Sequence, residues 1–286
     1  MSIKNTPVSR VDLHLHSTAS DGRLPPADVM QRAADAGVGL AALTDHDTVA
    51  GLDEAAAAAR RLGITLVPGS ELSARWARGT LHIVGLGLDP QAPGLEAGLA
   101  RHAAVRHERA RRMAERLARH GAPALHEQVL AMTGGAPPGR QHFARALVAA
   151  GVVADSRAAF RRFLARGRPA YAPAEWAPLA DVVGWIHGAG GLAVFAHPTR
   201  YGLSRGALRE ALKAFVAAGG DAVEVACGGF GPGDVGQAAA LARRHGLAAS
   251  VGSDFHDPEF PWIGIGRLPP LPGDLEPVWR RRYLGR

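Results

Sequence analysis

The chain has 286 residues, 47% of them hydrophobic and 21% charged, enough to bury a sizeable core and too apolar for intrinsic disorder. No apolar run reaches the ~18 residues of a membrane helix, residues 1–10 lead into no secretory signal, and the single cysteine, Cys227, excludes an internal disulfide or a cysteine-built zinc site; a soluble cytoplasmic protein is expected. The net charge of +7 is almost all arginine and is concentrated: residues 101–168 hold 14 Arg against Glu108, Glu115, Glu127 and Asp155, a net of +10 that leaves −3 for the rest. An even basic coat for long duplex nucleic acid has a different pattern; this one suits a local anion-binding piece in a mildly acidic body.

Residues 10–16, RVDLHLH, alternate as a strand, with Val11, Leu13 and Leu15 on one side and Asp12, His14 and His16 on the other. Ser20-Asp21-Gly22 reads as a turn. A helix is predicted over 26–36, then a buried strand over 39–44 running into Asp45-His46-Asp47. A helix over 50–62 closes at Gly63, and a strand over 64–67 ends at Pro68-Gly69-Ser70-Glu71. A fourth strand covers 80–87. The pattern then changes to an Arg-rich helix over 95–120, a Gly/Pro loop over 133–139 and short helical segments from 140 to about 166. Alternation resumes after Pro173, with helices over 179–188, 204–218 and 233–245. The strands between them cover 192–196, ending at His197-Pro198, then 222–225, and 248–251, ending at Gly252-Ser253-Asp254-Phe255-His256. Residues 267–286 are Pro-rich and show no clear pattern.

Repeated strand–helix units of about 25 residues imply an α/β architecture with mostly parallel strands. About seven strands in this length favour a closed or nearly closed barrel over a doubly wound sheet. The barrel is expected in two parts, residues 8–95 and 173–270, separated by an Arg-rich helical insertion at 96–172 and followed by a tail at 271–286. Polar residues gather at strand C-termini, the rim where barrel active sites converge. His82 lies near the start of its strand, so that strand is expected to run the opposite way.

The candidate metal ligands are His14, His16, Asp21, His46, Glu71, His82, His197, Asp254 and His256. One histidine at a strand end is usually a hydrogen-bonded structural residue; six with three carboxylates at successive strand ends are not a chance set. Imidazole and carboxylate without thiolate suit Mn²⁺, Fe²⁺ or Zn²⁺. Nine side chains are too many for one ion and fit two or three with shared ligands, Glu71 bridging. Such ions activate water, hold attacking and leaving oxygens and neutralise developing charge, which is what phosphate-ester hydrolysis needs. A nucleophilic triad is a poorer account, Cys227 reads as a small buried residue, and no nucleotide-cofactor loop is present.

The segments DLHLHSTASDG, LTDHDTVAGL, PGSELS, LHIVGLGL, FAHPTRY and GSDFH resemble, in order, the successive motifs of the PHP (polymerase and histidinol phosphatase) metallophosphoesterases. The resemblance implies a distorted (β/α)7 barrel with a trinuclear, often manganese-loaded site, for which all nine positions are present. It assigns His14, His16, Glu71 and Asp254 to one metal, Asp21, His46 and His256 to another, and His82 and His197 with Glu71 to the third.

Length and insertion look most like the small stand-alone branch of that family, which includes 3′,5′-nucleoside bisphosphate phosphatases and a 5′-to-3′ exoribonuclease acting on short RNA. Its R-x-x-R helix reads here Arg106-His107-Glu108-Arg109, and its G-R-x-H-x-A-R-A-L segment reads Gly139 to Leu147, with Gln141 where members often carry another residue. Arg106, Arg109, Arg140 and His142 are on that basis expected to bind substrate. Arg106 and Arg109, three apart on one helix, could grip one phosphate as a pair, and Arg140 opens a helix whose N–H groups also attract anions. The expected activity is removal of the 3′-phosphate from nucleoside 3′,5′-bisphosphates, with 5′-to-3′ trimming of short RNA by the same chemistry. The alternatives are a histidinol phosphatase-like phosphomonoesterase and a non-catalytic metal-binding regulatory module. Asp45 or a metal-held water would protonate the leaving alcohol, unless Asp45 only orients His46. A monomer that binds no membrane is expected, and His102, His107, His120, His126, His187 and His245 read as surface or structural.

Overall fold

The computed structural model describes residues 10–281 except Arg78, Ala124 and Pro261, so the domain limits drawn at 8 and 286 lie outside the described residues. Seven strands form one sheet in chain order: β1 (Arg10–Leu15), β2 (Val38–Leu43), β3 (Thr65–Trp76), β4 (Gly79–Leu86), β5 (Leu192–Phe195), β6 (Ala222–Cys227) and β7 (Ala248–Gly252). All neighbouring pairs are parallel except those of β4, which is antiparallel to both β3 and β5. The sheet nearly closes: just past β7, Asp254 N–H donates to His14 O near the end of β1 (2.9 Å), and His16 N–H donates to Phe255 O (3.0 Å). Lower in that seam the buried Asp12 carboxylate accepts from the N–H groups of Ser253 and Gly266, each at 2.8 Å.

Leu13, Ala42, Val67, Val84, Val194, Ala222 and Ala248 form one apolar cluster drawn from every strand, which places it in the lumen. Val278 enters the same cluster, and Ala249 N–H donates to Glu276 O (2.8 Å). The Pro-rich tail, patternless as sequence, is thus a plug seated against the barrel. Helices α1 (Pro26–Asp35) and α2 (Leu52–Leu62) cover one side. On the insertion, α3 (Pro93–Arg119), α4 (His126–Met132), α5 (Arg140–Ala149) and α6 (Ser156–Ala159) follow, and α7 (Leu179–Gly188), α8 (Arg205–Ala217) and α9 (Pro232–His245) cover the other side. The periodicity explains their placement: α8 buries Ala207, Leu208, Ala211, Leu212 and Phe215 as one stripe. Burying a side chain such as Phe215 contributes about 2–3 kcal/mol. Gly63, at φ +71°, adopts the left-handed conformation that ends α2.

Two local readings are corrected. β3 does not stop at 67 but runs through Pro68-Gly69 to Trp76, pairing with β4 from Gly69↔Leu86 to Trp76↔Gly79. Pro68 has no N–H to lose, its carbonyl accepts from Gly87 N–H (2.8 Å), and Gly69 tolerates Gly85 O where a Cβ would meet it at 2.8 Å. This long hairpin sends β4 backwards, as His82 suggested. In β1, register shifts break the strict alternation: Val11 and Leu13 pack in the lumen, whereas Leu15 packs with Met30 outside.

The insertion has its own apolar cluster, with Ala110, Met113 and Leu117 of α3 packed on Val129, Phe143, Leu147 and Phe163. Leu95 and Leu99, at the start of the same helix, pack with the barrel instead. The boundary expected at 96 therefore falls inside a 27-residue helix shared by both cores.

Candidate metal centre

The structure gathers all nine expected ligands at one rim. β1 supplies His14, with His16 just beyond it and Asp21 in the following loop. His46 follows β2, Glu71 and His82 face each other across the β3–β4 hairpin, His197 follows β5, and Asp254 and His256 follow β7. Among the described residues, three non-glycine residues have positive φ: Asp47 (52°), His197 (28°) and Asp254 (56°). All three belong to this rim, and backbone strain of this kind collects where side chains must be aimed.

The donor set fits divalent cations. Five distances among His14 Nε2, His16 Nε2, Glu71 Oε2 and Asp254 Oδ1 lie between 3.1 and 3.5 Å. A tetrahedron with edges of about 3.3 Å has its centre about 2.0 Å from every corner, the bond length of a divalent ion to imidazole or carboxylate. Asp21 Oδ1 stands 3.3 Å from His256 Nε2 and 3.8 Å from His46 Nε2, and His16 belongs to this second group as well. Glu71 extends to a third: its Oε1 is 3.0 Å from both His82 Nδ1 and His197 Nε2, and its Oε2 is 2.9 Å from His46 Nδ1. The groups share His16, His46 and Glu71. Among the described residues, five buried polar atoms in this cluster have no partner in hydrogen-bonding geometry, although some lie close to one another: His16 Nδ1, Asp21 Oδ1, His46 Nδ1, Glu71 Oε2 and His197 Nδ1. Unpaired polar atoms are costly to bury, and cations in the cluster would satisfy the carboxylate oxygens among them, Asp21 Oδ1 and Glu71 Oε2.

The ionisation pattern follows from burial and crowding. Burial opposes the charge on Glu71, but the imidazoles of His46, His82 and His14 overcome it and hold the carboxyl well below its usual range. Asp21 and Asp254 are held low in the same way, against burial, by His46 and His256 and by His14 and His256 respectively. Burial pushes His46 down to about 4 despite Glu71 and Asp21. His256 rises to about 9 against burial because Asp21 and Asp254 face it.

Two carboxylates that sequence reasoning missed hold this array. Glu224, buried in β6, accepts from His14 Nδ1–H (2.9 Å) and from the backbone N–H of His197 (2.7 Å). It thereby fixes the His14 tautomer with Nε2 turned to the cluster. A Cβ at Gly252 would stand 2.2 Å from the His14 Cβ, so only glycine lets β7 pass here. Asp47 is fully saturated: Oδ1 accepts from Ser73 N–H (2.7 Å) and His102 Nδ1–H (2.8 Å), and Oδ2 from Ser73 Oγ (2.9 Å) and Arg106 Nε (2.8 Å) and Nη2 (2.6 Å). Asp47 therefore joins the rim to the insertion helix, and His102 is structural.

A cleft of about 470 Å³ lies between barrel and insertion. Its floor carries Asp21, His46, His82, His197, Asp254 and His256; its far wall carries Arg106, Arg109, Arg140 and Arg166 with Phe160, Tyr171 and Trp176. Phe160 opens a π-helical turn, a geometry common at functional sites. The expected Arg106–Arg109 grip is split. Arg106 lines the cleft with its charge already matched by Asp47. Among the described residues Arg109 donates to Ala172 O alone (3.1 Å), and burial, with Arg140 and Arg106 nearby, pushes its guanidinium down to about 9. Arg140 stacks over Phe160 at 5.7 Å. Among the described residues no carboxylate is within ion-pair distance of Arg109 or Arg140. Arg200 lines the cleft beside the cluster, bonded to Asp254 and Gly228 O.

Two expected roles do not match the geometry. Asp45 is buried outside the cleft lining, its oxygens taken by Ser17 N–H (2.8 Å), Ser17 Oγ (2.7 Å) and Ser20 Oγ (2.6 Å). It orders the loop that carries Asp21 and makes no bond to His46, so it stands poorly as a proton donor. His142 folds back to cap α5, its Nδ1 accepting Gly139 N–H (3.0 Å); it also lies outside the cleft lining. A G-x-S-x-G pattern does occur at Gly202–Gly206, but Ser204 Oγ caps α8 by accepting from Ala207 N–H (3.2 Å), which is no nucleophile elbow. Cys227 is buried, as expected.

Residues 12–135 match the PHP domain model. The 3′,5′-nucleoside bisphosphate phosphatase of Chromobacterium violaceum is 46% identical over 274 residues, 96% of each chain. The 5′-3′ exoribonuclease Rnm of Salmonella typhimurium is 42% identical, covering 94% of this chain and 92% of that one. A solved structure of a Chromobacterium violaceum amidohydrolase, with bound sulfate and no metal, superposes with a TM-score of 0.90 at 46% identity over 95% of each chain. With the ligand cluster on its seven-stranded barrel and relatives of this likeness along nearly its whole length, the chain belongs to the PHP domain family.

Proposed function

We propose that the chain is a metal-dependent phosphoesterase that takes the 3′-phosphate from nucleoside 3′,5′-bisphosphates and, with the same site, trims 5′ nucleotides from short RNA. One observation carries the reading. A single cleft has a histidine–carboxylate cluster at one end and, at the other, two arginines with no carboxylate within ion-pair distance among the described residues. A substrate with one phosphate to anchor and another to hydrolyse fits that layout. His14, His16, Glu71 and Asp254 would hold one ion, Asp21, His46 and His256 with His16 a second, and His82 and His197 with Glu71 a third. The thiolate-free donors suit Mn²⁺, Fe²⁺ or Zn²⁺, and the likeness to the PHP family is what favours manganese among them. Such ions supply Lewis-acid charge neutralisation and an activated water.

The protein's own groups do the rest. Arg109 and Arg140 fix the anchoring phosphate, which orients the other end of the substrate on the cluster. Phe160, Tyr171 and Trp176 exclude water from the wall between the two ends, where charge–charge attraction is strengthened. No helix among the described residues is long and apolar enough to cross a membrane. The reading is of a cytoplasmic monomer acting on small phosphorylated nucleotides.

The test is phosphate release from adenosine 3′,5′-bisphosphate, AMP and an aryl phosphate by manganese-loaded protein, for the unmodified chain and for Arg109→Gln. The bisphosphate is expected to be the best substrate of the three. Arg109→Gln should raise its KM about tenfold or more, the loss of one charge-assisted contact, while the aryl phosphate is unaffected. Equal turnover of all three, or an Arg109→Gln variant that loses all substrates alike, refutes the reading.

A further inference from the structure

A second basic feature lies outside the insertion. On the barrel's outer wall α8 and α9 run side by side, and between them is a groove made of two adjoining hollows of about 620 and 230 Å³. Arg205, Arg209 and Lys213 line it from α8, and Gln237 and Arg244 from α9. The first three are four residues apart, so they form one row on a single helix face, with a cation every ~6 Å. The four cations are exposed. Lys213 pairs with Glu210 at 3.0 Å; among the described residues no carboxylate is within ion-pair distance of Arg205, Arg209 or Arg244. Outside residues 101–168 the chain carries a net −3, so this row runs against the charge of the body that bears it.

The groove also begins where the cleft ends. Tyr201 and Leu203 line the cleft, Ser204 caps α8, and Arg205 opens the groove. Arg200 lines the cleft itself, bonded to Asp254 and Gly228 O, and Arg205 follows it five residues later at the start of the groove.

We propose that the α8–α9 groove is an exosite for the backbone of a single-stranded oligoribonucleotide whose 5′ end occupies the cleft. The proposal rests on the RNA-trimming half of the functional reading. The chemistry is that of phosphate tracking: evenly spaced guanidinium groups along a shallow groove, with His245 the only ring in its lining, give affinity without base selection. A mononucleotide held in the cleft does not reach the groove; a longer strand does. The groove is thus the part of the surface that distinguishes RNA from a bisphosphate.

The test compares full-length protein with Arg205→Glu/Arg209→Glu/Arg244→Glu and with its neutral counterpart, Arg205→Gln/Arg209→Gln/Arg244→Gln. A control, Arg32→Glu/Arg60→Glu/Arg61→Glu, makes the same charge change on α1 and α2. Substrates are adenosine 3′,5′-bisphosphate, a 5′-phosphorylated dinucleotide and a 5′-phosphorylated dodecanucleotide. Binding of a labelled dodecanucleotide to chelator-treated protein is followed by anisotropy across a salt series. Both groove variants should leave the bisphosphate and dinucleotide unchanged and raise the dodecanucleotide KM about tenfold. Their plot of log affinity against log salt should be shallower by about 2, since each single-strand phosphate contact contributes ~0.7. The control should behave as the unmodified chain does. An unchanged dodecanucleotide KM and salt slope overturns the proposal, and so does an equal loss in the control. Binding of polyglutamate in place of the dodecanucleotide overturns it in favour of an acidic protein partner. An unmodified protein that hydrolyses the bisphosphate but no RNA removes the exosite and leaves the phosphatase standing; one that hydrolyses neither removes both.

Discussion

Asp47→Asn is the most informative single change. The carboxylate takes five donor atoms from three residues, at 2.6–2.9 Å, and Arg106 is only 6% exposed. An asparagine keeps one acceptor oxygen and turns the other into a donor facing Arg106 and Ser73. It also leaves the guanidinium buried without a counter-charge. Breaking one side of such a pair costs about 3–5 kcal/mol, a large part of the ~5–15 kcal/mol that holds a typical protein folded. Arg106→Met alone strands the anion instead, at a similar cost. The double variant removes both charges over the face of Trp176, which lies 5.4 Å from the guanidinium. Its loss should therefore fall about 2–3 kcal/mol short of the sum of the single losses. Denaturant unfolding of the four proteins in chelator measures this. The same set answers a functional question. If the Arg106 charge is already matched, Arg106→Met should raise the bisphosphate KM far less than Arg109→Gln does. Additive stability losses, or an Arg106→Met KM effect as large as that of Arg109→Gln, would show that Arg106 is a free anion grip and that the split described above is wrong.

Two further changes probe the supports of the site. Glu224→Gln can accept from His14 or from the His197 backbone but not from both, so metal affinity, read as bound manganese after dialysis against a chelator series, should fall about tenfold or more; unchanged metal retention would make Glu224 a packing residue only. Burial holds His142 down to about 4, so its neutral form caps α5 in the folded chain while the unfolded chain takes a proton from about 6.5 downward. The stability it contributes is therefore full above pH 6.5 and is lost as the pH falls toward 4, by about 3 kcal/mol in all. His142→Gln, which supplies an uncharged side chain at the same capping position, should make unfolding less pH-dependent in that window; an identical pH profile would refute the assignment.

The candidate ligands were legible because chemistry and position coincide: imidazoles and carboxylates stand where apolar strand runs stop, and parallel strands bring those stops to one rim. Glu224 was missed although it left a signal. A lone acid inside AVEVAC cannot be buried without donors, and asking for its partner would have led to His14. Asp47 left less, because in DHD an acid flanking a candidate ligand reads as turn chemistry. Pro68-Gly69 misled for a different reason: the pair punctuates most chains, but here one residue has no N–H to offer and the other admits a neighbouring carbonyl. Arg106 and Arg109 are indistinguishable by helical spacing. What separates them is Asp47, 59 residues away from Arg106 in the chain, and no local pattern carries that.

The two ends of the cleft treat buried charge in opposite ways, and this shapes the proposed chemistry. At the rim, acids and imidazoles face one another: Asp254 is held low by His14 and His256, Asp21 by His46 and His256, and the proton affinities of His14 and His256 are raised in return. Cations taking those positions must displace protons, so loading is coupled to pH but leaves the charge balanced. On the insertion wall, the barrel pairs Arg106 with Asp47, whereas among the described residues no carboxylate is within ion-pair distance of Arg109 or Arg140, and Arg140 has only the more distant attraction of Asp21. That imbalance is a cost in the free protein, visible in the lowered Arg109, and an anion from outside relieves it. A phosphate on the far side of the substrate is such an anion. Its attraction to the wall is remote from the reacting bond and is realised only when the rest of the molecule is held over the metals, which is how binding at one end is converted into orientation at the other.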